Sequence, residues 1–153
     1  MLRSRLCFRY IIFIIVHRVY LSLGANLGDR RANMNMAVEL IDEYVGKIVR
    51  RSSMIETEPW GFDSDNKFLN MCVALDTQLL PHQLLRVTQD IERRLGRKSK
   101  SVDGVYSDRL IDIDILLYDD LRIRTSYLTI PHPHMRSRDF VMRPLMEIMD
   151  GDF

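Results

Sequence analysis

Two apolar runs, Lys47–Thr57 and Phe68–Leu75, follow each other with only a loop between them. Both read as strands, so a consecutive strand pair lies in the middle of the chain. Parallel neighbours need a long crossover, usually a helix. A doubly wound parallel sheet, in which strand and helix keep alternating, is therefore excluded. Each flank of this pair holds one strand and one helix. Upstream, Val19–Leu23 has the β-branched and aromatic content of a strand and ends at Gly24. Asn26, Gly28 and Asp29 supply turn and N-cap chemistry. Met34, Ala37, Val38, Ile41 and Val45 then recur at helical spacing up to Gly46. Downstream, Pro81 suits the first turn of a helix. Leu84, Thr88, Ile91 and Leu95 mark its buried stripe, and Gly96 suits its C-terminal end. Residues 97–108 are polar and aperiodic, as in a flexible loop, and Leu110–Tyr118 is a last strand. The order predicts an α+β split unit, β-α-β-β-α-β, with two helices on one face of an antiparallel sheet. Pro131, Pro133 and Pro144 are expected to break up the tail.

The length of 153 residues fits one domain. A hydrophobic fraction of 46% and a charged fraction of 28% exclude disordered and fibrous classes. The net charge of +1 excludes a bulk polyanion binder, so any phosphate chemistry must come from a local cluster. Cys7 and Cys72 are far apart and fit no zinc or disulfide pattern, which points to a reducing compartment. Tyr10–Val16 is strongly apolar but only seven residues long, against about 20 for a membrane span. Arginines precede it, yet no small-residue cleavage site follows. A targeting or translation-start remnant, an added strand and a membrane anchor are the alternatives. Residues 1–17 are accordingly set apart as an extension, and residues 18–153 read as a single domain.

Chemistry concentrates in four places. In Arg109-Leu110-Ile111-Asp112-Ile113-Asp114-Ile115, acids alternate with isoleucines. Residues i and i+2 of a strand share a face. Asp112 and Asp114 thus point one way, about 6–7 Å apart at Cα, and the isoleucines point the other way into a core. Two bare carboxylates at about 6 Å repel by about 0.7 kcal/mol in water and about 3 kcal/mol at an effective dielectric near 20. A compensating cation answers this. Oxygen ligands this few suit Mg²⁺, which keeps waters and takes its other ligands from phosphates. A solvated acidic face on an edge strand is the alternative. Around the pair the chain is basic: Arg86, Arg93, Arg94, Arg97, Lys98 and Lys100 precede it and Arg109 abuts it. Guanidinium groups match phosphate oxygens bidentately, which suggests a nucleotide polyphosphate. An ordinary charged helix and loop would look similar. Neither a P-loop nor a Rossmann glycine pattern is present.

The third place is His132, held between Pro131 and Pro133, where it could donate to a phosphate or serve acid–base chemistry. Arg138 and Phe140 nearby could pair a cation with an aromatic platform. The fourth is Glu56–Phe62, with the only tryptophan, followed by Phe68-Leu69-Asn70. Aromatics and one amide in a short span suit a flat heterocycle, although Phe68 alone would also suit a core.

Six pieces in order resemble the 6-hydroxymethyl-7,8-dihydropterin pyrophosphokinase family of folate biosynthesis. They are Ser22–Asp29, Glu56–Gly61, Phe68–Asn70, Leu95–Arg97, Arg109–Leu116, and Ile130–Met135 with Arg138–Val141. The resemblance runs from Val19 to about Glu147. It implies a ferredoxin-like fold and an ATP-dependent diphosphotransferase. Such an enzyme moves the β,γ-pyrophosphate of ATP to the pterin hydroxymethyl oxygen and releases AMP. It implies that Asp112 and Asp114 hold two Mg²⁺ ions on the triphosphate. Arg97 and Arg109 would be the catalytic phosphate clamps, with His132 and Arg138 as further triphosphate ligands. Gln89, Glu92, Ile115 and Thr129 fall where the family contacts nucleotide. The pterin would lie between Phe140 and Phe68, with Asn70 and Asp112 on its polar edge and the backbone of Thr57 and Trp60 reading the rest.

Tyr106-Ser107-Asp108 stands where the family often has Trp-Gly-Pro, and it adds a negative charge beside Arg109. The chain ends at Phe153 where relatives continue, so a shortened C-terminus is expected. The expected partners are ATP and the pterin, with no nucleic acid or membrane, in a cytoplasmic monomer. A non-catalytic nucleotide- or pterin-binding module of the same fold, and a bare Mg²⁺-dependent nucleotide hydrolase, are the competing hypotheses.

Overall fold

A computed structural model describes residues 14–96 and 108–149. β1 spans His17–Ala25, α1 Arg30–Tyr44, β2 Lys47–Arg51, β3 Ile55–Thr57, β4 Phe68–Thr77, α2 Pro81–Arg94 and β5 Asp112–Tyr118. Then come a small ribbon of β6 (Ile123–Arg124) and β7 (Thr129–Ile130), a 3₁₀ turn at Met135–Ser137, and α3 at Asp139–Ile148. The main sheet has the order β2-β4-β1-β5, with β3 also paired to β4, and every pairing is antiparallel. This is the ferredoxin-like arrangement read from the element order. β1 starts at His17, the last residue of the segment set apart; its Nδ1 lies 2.6 Å from Asp119 Oδ2.

Local chemistry explains the boundaries. The Asp29 carboxylate accepts from Ala32 N–H at 3.0 Å and caps α1. Pro81 opens α2, and the Gln83 side chain accepts from Leu80 N–H at 2.8 Å. The expected single strand Lys47–Thr57 is two strands. Ser52 interrupts it, its hydroxyl accepting from Cys72 N–H at 2.9 Å, a local alternative to the regular ladder.

Strand alternation decides what each face holds. Val19, Leu21, Leu23 and Ala25 of β1 join Ile113 and Ile115 in one core, which α1 closes with Met34, Ala37, Val38 and Ile41, and α2 with Leu84 and Ile91. The opposite face carries Tyr20, Cys72, Ala74 and Leu116, covered by Val141, Leu145 and Ile148 of α3. Leu116 follows Asp112 and Asp114 onto the α3 face by plain alternation, and a register shift near Tyr20/Leu21 then changes the parity of β5, so Tyr118 returns to the first core.

α3 runs through Pro144, contrary to the expectation that this proline breaks the tail. An interior proline costs about 3 kcal/mol. Burying Val141, Leu145 and Ile148 returns about 1.5–3 kcal/mol each, which outweighs it. Glu147 also ties α3 down: it accepts from Ser53 N–H at 2.7 Å and Ser53 Oγ at 2.6 Å, bonds that hold its carboxyl below the usual range. α3 covers one end of this face and leaves the other end, with Ser22, Gly24, Asn70, Asp112 and Asp114, lining a cleft.

Cys72 is fully buried under α3, and burial pushes its thiol up to about 12. Alkylation at pH 8 should therefore leave Cys72 unlabelled in the folded protein and label it in denaturant. Peptide mass mapping checks this, and native labelling at Cys72 would mean that α3 does not stay docked. Cys7 lies outside the described residues. Among the described residues, no helix is long and apolar enough to cross a membrane.

Candidate active site

Three adjacent strands bring the polar residues together. Across the β1–β5 ladder Ser22 lies opposite Asp114 and Gly24 opposite Asp112; across β1–β4 Gly24 lies opposite Asn70. All five share the face that α3 leaves open, so the shared face of Asp112 and Asp114 is as the alternation predicts. The Arg109 guanidinium bonds Asp112 Oδ2 at 2.8 Å, and its side chain is only 9% exposed. The Asn26 side chain fixes the arginine's backbone: Arg109 N–H donates to Asn26 Oδ1 at 2.7 Å, and Asn26 N–H donates to Arg109 O at 3.1 Å.

A first cleft opens over these strands. Its floor is Ser22, Gly24, Asn70, Asp112 and Asp114, and its walls include Thr57, Trp60, Phe62, Phe68, Arg138 and Phe140. Asn70 Nδ2 donates to Thr57 Oγ1 at 2.7 Å, which orients the amide at the cleft's edge. Phe62 and Phe68 meet edge to face at 6.1 Å. The Arg138 guanidinium sits 4.5 Å from the Trp60 ring centre and 5.8 Å from that of Phe140, and the residue is only 7% exposed. Cation–π contacts reach about 2 kcal/mol when desolvated, so this stack holds Trp60 and Phe140 across one side of the cleft. The expected pairing of Arg138 with Phe140 is therefore present, and Trp60 joins it.

A second cleft shares Asp114 with the first. It is lined by Leu85, Ile113, Ile115, Thr125–Thr129, His132 and Pro133. His132 N–H donates to Leu116 O at 2.9 Å, which docks the proline-flanked turn on β5. His132 Nδ1 accepts from His134 N–H at 3.2 Å. That assigns the ring proton to Nε2, which lies 4.0 Å from Asp114 Oδ2.

The first cleft thus gathers Thr57, Trp60, Phe68, Asn70, Arg109, Asp112, Asp114, Arg138 and Phe140, and the second Asp114, Ile115, Thr129 and His132. Gln89 is half-buried on α2 and lines neither cleft. Glu92 also lines neither. It is buried and accepts the Ile113 N–H at 2.8 Å, bracing β5 from behind. Arg97 lies outside the described residues. The sequence assigns no binding role to Ser22 or Gly24, whereas Phe62 belongs to the aromatic span read as suiting a flat heterocycle. A signal for the first two exists: they are the small residues among the larger apolar side chains of β1, on the face that the carboxylates also occupy. Among the described residues, no group of three or more His, Cys, Asp or Glu is placed to hold a metal alone. Two hard carboxylates, with the remaining ligands from water and a phosphorylated substrate, still fit Mg²⁺.

The profile of one family, 7,8-dihydro-6-hydroxymethylpterin-pyrophosphokinase (HPPK), matches residues 20–150. The 2-amino-4-hydroxy-6-hydroxymethyldihydropteridine pyrophosphokinase of Porphyromonas gingivalis is 50% identical over 131 residues, 85% of this chain and 89% of that protein. The protein of the same name from Aquifex aeolicus is 43% identical over 130 residues, covering 85% and 79%. Among solved structures, wild-type Plasmodium falciparum HPPK-DHPS with pteroate superposes with a TM-score of 0.68 at 16% identity, over 84% of this chain. The chain spans 40% of that larger protein, and the likeness speaks to the fold alone. Family profile and half-identity together make this chain a member of the 7,8-dihydro-6-hydroxymethylpterin-pyrophosphokinase family.

Proposed function

We propose a division of labour between the two clefts for the reaction of this family. The chain transfers pyrophosphate from ATP to the hydroxymethyl group of 6-hydroxymethyl-7,8-dihydropterin, giving AMP and the pterin diphosphate in folate biosynthesis. The first cleft takes the pterin and the second takes the nucleotide. The observation that carries this assignment is Asp114 at the seam of both clefts, with Asp112 beside it on the same face.

In the first cleft, Phe68 and Phe140 flank the flat ring, and Asn70, Thr57 and Trp60 meet its polar edge. Aromatic walls with a single oriented amide suit a pterin better than a flexible chain. In the second cleft, Ile115 and Thr129 contact the nucleoside and His132 Nε2–H faces the phosphates. Arg109 reaches the triphosphate from its anchored backbone, and Arg97 and Arg138 add positive charge. Gln89 and Glu92 support the nucleotide side from α2. Asp112 and Asp114 hold Mg²⁺, two ions in this reading. When bound, the metal neutralises phosphate charge and aligns the β-phosphorus with the acceptor.

The pterin hydroxyl oxygen bonds to the β-phosphorus, the bond from that phosphorus to the AMP oxygen breaks, and the hydroxyl proton leaves to solvent. Positioning and electrostatics carry most of such a transfer. In this reading the protein works as a monomer. The same reading places the protein in the cytoplasm, without nucleic acid or membrane partners.

The test is AMP release from MgATP, with and without 6-hydroxymethyl-7,8-dihydropterin. Pterin-dependent AMP is expected. AMP without pterin would point to a hydrolase, and MgATP binding without AMP to a binding module.

A further inference from the structure

From sequence, Asp108 is an added negative charge beside Arg109. In the structure both of its carboxylate oxygens are engaged by other groups. Oδ1 accepts from Asn26 Nδ2 and from Ser64 Oγ, each at 2.7 Å, and Oδ2 accepts from Asn66 Nδ2 at 3.0 Å. The donors come from two separate loops. Asn26 lies between β1 and α1, and Ser64 and Asn66 belong to the loop that carries Trp60 and Phe62. Ser64 Oγ also accepts from Asn66 N–H at 3.1 Å, and Asn26 Nδ2 lies 3.3 Å from Asn66 O. Asn26 in turn brackets the backbone of Arg109. A continuous run of hydrogen bonds therefore leads from Ser64 and Asn66, in the loop that carries Trp60 and Phe62, through Asp108 and Asn26 to the backbone of the arginine that meets Asp112.

We propose that Asp108 is a positioning residue: it clasps the aromatic loop 58–67 to the Asn26–Arg109 base and so sets acceptor affinity without touching substrate. This rests on the assignment of the first cleft to the pterin. A carboxylate suits the position because three donors converge on it and it has only acceptors to offer. An amide there would turn an N–H₂ group toward at least one of those donors. The hydrogen bonds, that of Ser64 first and those of Asn26 and Asn66 after it, hold the Asp108 carboxyl below the usual carboxylate range, helped by the Arg109 charge. Removing the carboxylate loosens the loop, which keeps the longer Asn26 Nδ2 contact to Asn66 O at 3.3 Å, and leaves both Asn26 bonds to the Arg109 backbone, so the loss falls on the acceptor side.

The experiment compares wild type, Asp108→Ala, the Ser64→Ala/Asn66→Ala pair, and the combination of all three. Asp108→Ala should raise the pterin KM about tenfold and leave the MgATP KM within about twofold. The loop pair should do the same, and the combination should add little, because all three changes break one contact set. A merely structural role would move both KM values together. That result, or fully additive effects, overturns the proposal. Hydrogen exchange gives a readout independent of turnover. Peptides covering residues 58–67 should exchange about tenfold faster in Asp108→Ala while β4 stays protected. If the wild type makes no pterin-dependent AMP, the reaction assignment fails, and exchange still decides the clasp. Unchanged exchange in the loop overturns it.

Discussion

Asp114→Asn and Asp112→Asn should each lower pterin-dependent AMP formation about a thousandfold or more. The substitution keeps the shape of the side chain and removes its charge. Losing about 4 kcal/mol of charge stabilisation at the phosphates corresponds to about a thousandfold in rate. Folding should survive. Both residues face the cleft rather than the isoleucine core, and the side chains keep 21% exposure at Asp112 and 31% at Asp114. The amide at position 112 can still accept from Arg109, so that nearly buried guanidinium keeps its partner. Asp112→Ala is the less clean choice, because it removes this partner from a guanidinium that is nearly buried and so adds a stability loss to the loss of charge. Thermal melting checks the fold and AMP release checks the chemistry. Near-normal turnover from either asparagine variant would contradict the metal assignment.

The same two residues show why so much of this site is legible in one dimension. In Asp112-Ile113-Asp114-Ile115, period-two alternation alone fixes which side chains share a face. The structure needs only to put that face on the outside of the β1–β5 pair. The split-unit order is legible for a similar reason, since the absence of a helix between residues 57 and 68 leaves few topologies. What the alternation does not carry is the identity of the covering layer. α3 contains Pro144, a residue that argues against a helix, and only burial of Val141, Leu145 and Ile148 on the second sheet face overrides it. The interruption at Ser52 is likewise set by a hydroxyl that finds a backbone partner 20 residues away. Long-range pairs of this kind leave no periodic trace.

Asp108 is the sharpest case. Beside Arg109 in sequence, it reads as a charge that would weaken phosphate affinity. In space its carboxylate meets Asn26, Ser64 and Asn66, residues that lie more than 40 positions upstream. Glu92 differs in the opposite way. The family resemblance places it where nucleotide is contacted, yet it is buried and bonded to the backbone of β5. In both residues the charge is legible and the direction in which it points is not.

Gly24→Val should raise the Kd for the pterin about a hundredfold and leave the Kd for MgATP within about twofold. Gly24 adds nothing to the cleft but space. A Cβ built on it meets Asn70 Oδ1 at 3.1 Å and the Phe68 ring at 3.7 Å, so even a methyl group presses on the amide of the acceptor wall and reaches contact with its ring. Two further methyls project into the volume that the ring would fill. Overpacking of this kind costs about 1–3 kcal/mol, and the upper end corresponds to about a hundredfold. The backbone should accept the change. Gly24 is not among the positive-φ glycines, and valine suits a strand interior better than glycine does. The second cleft is lined by other residues, so nucleotide binding gives an internal control. Calorimetric titration of each ligand separates the outcomes. Loss of the pterin alone assigns the acceptor to the first cleft. Undiminished pterin binding in a folded Gly24→Val protein would move the acceptor elsewhere and, with it, the reason for the aromatic stack of Trp60, Arg138 and Phe140.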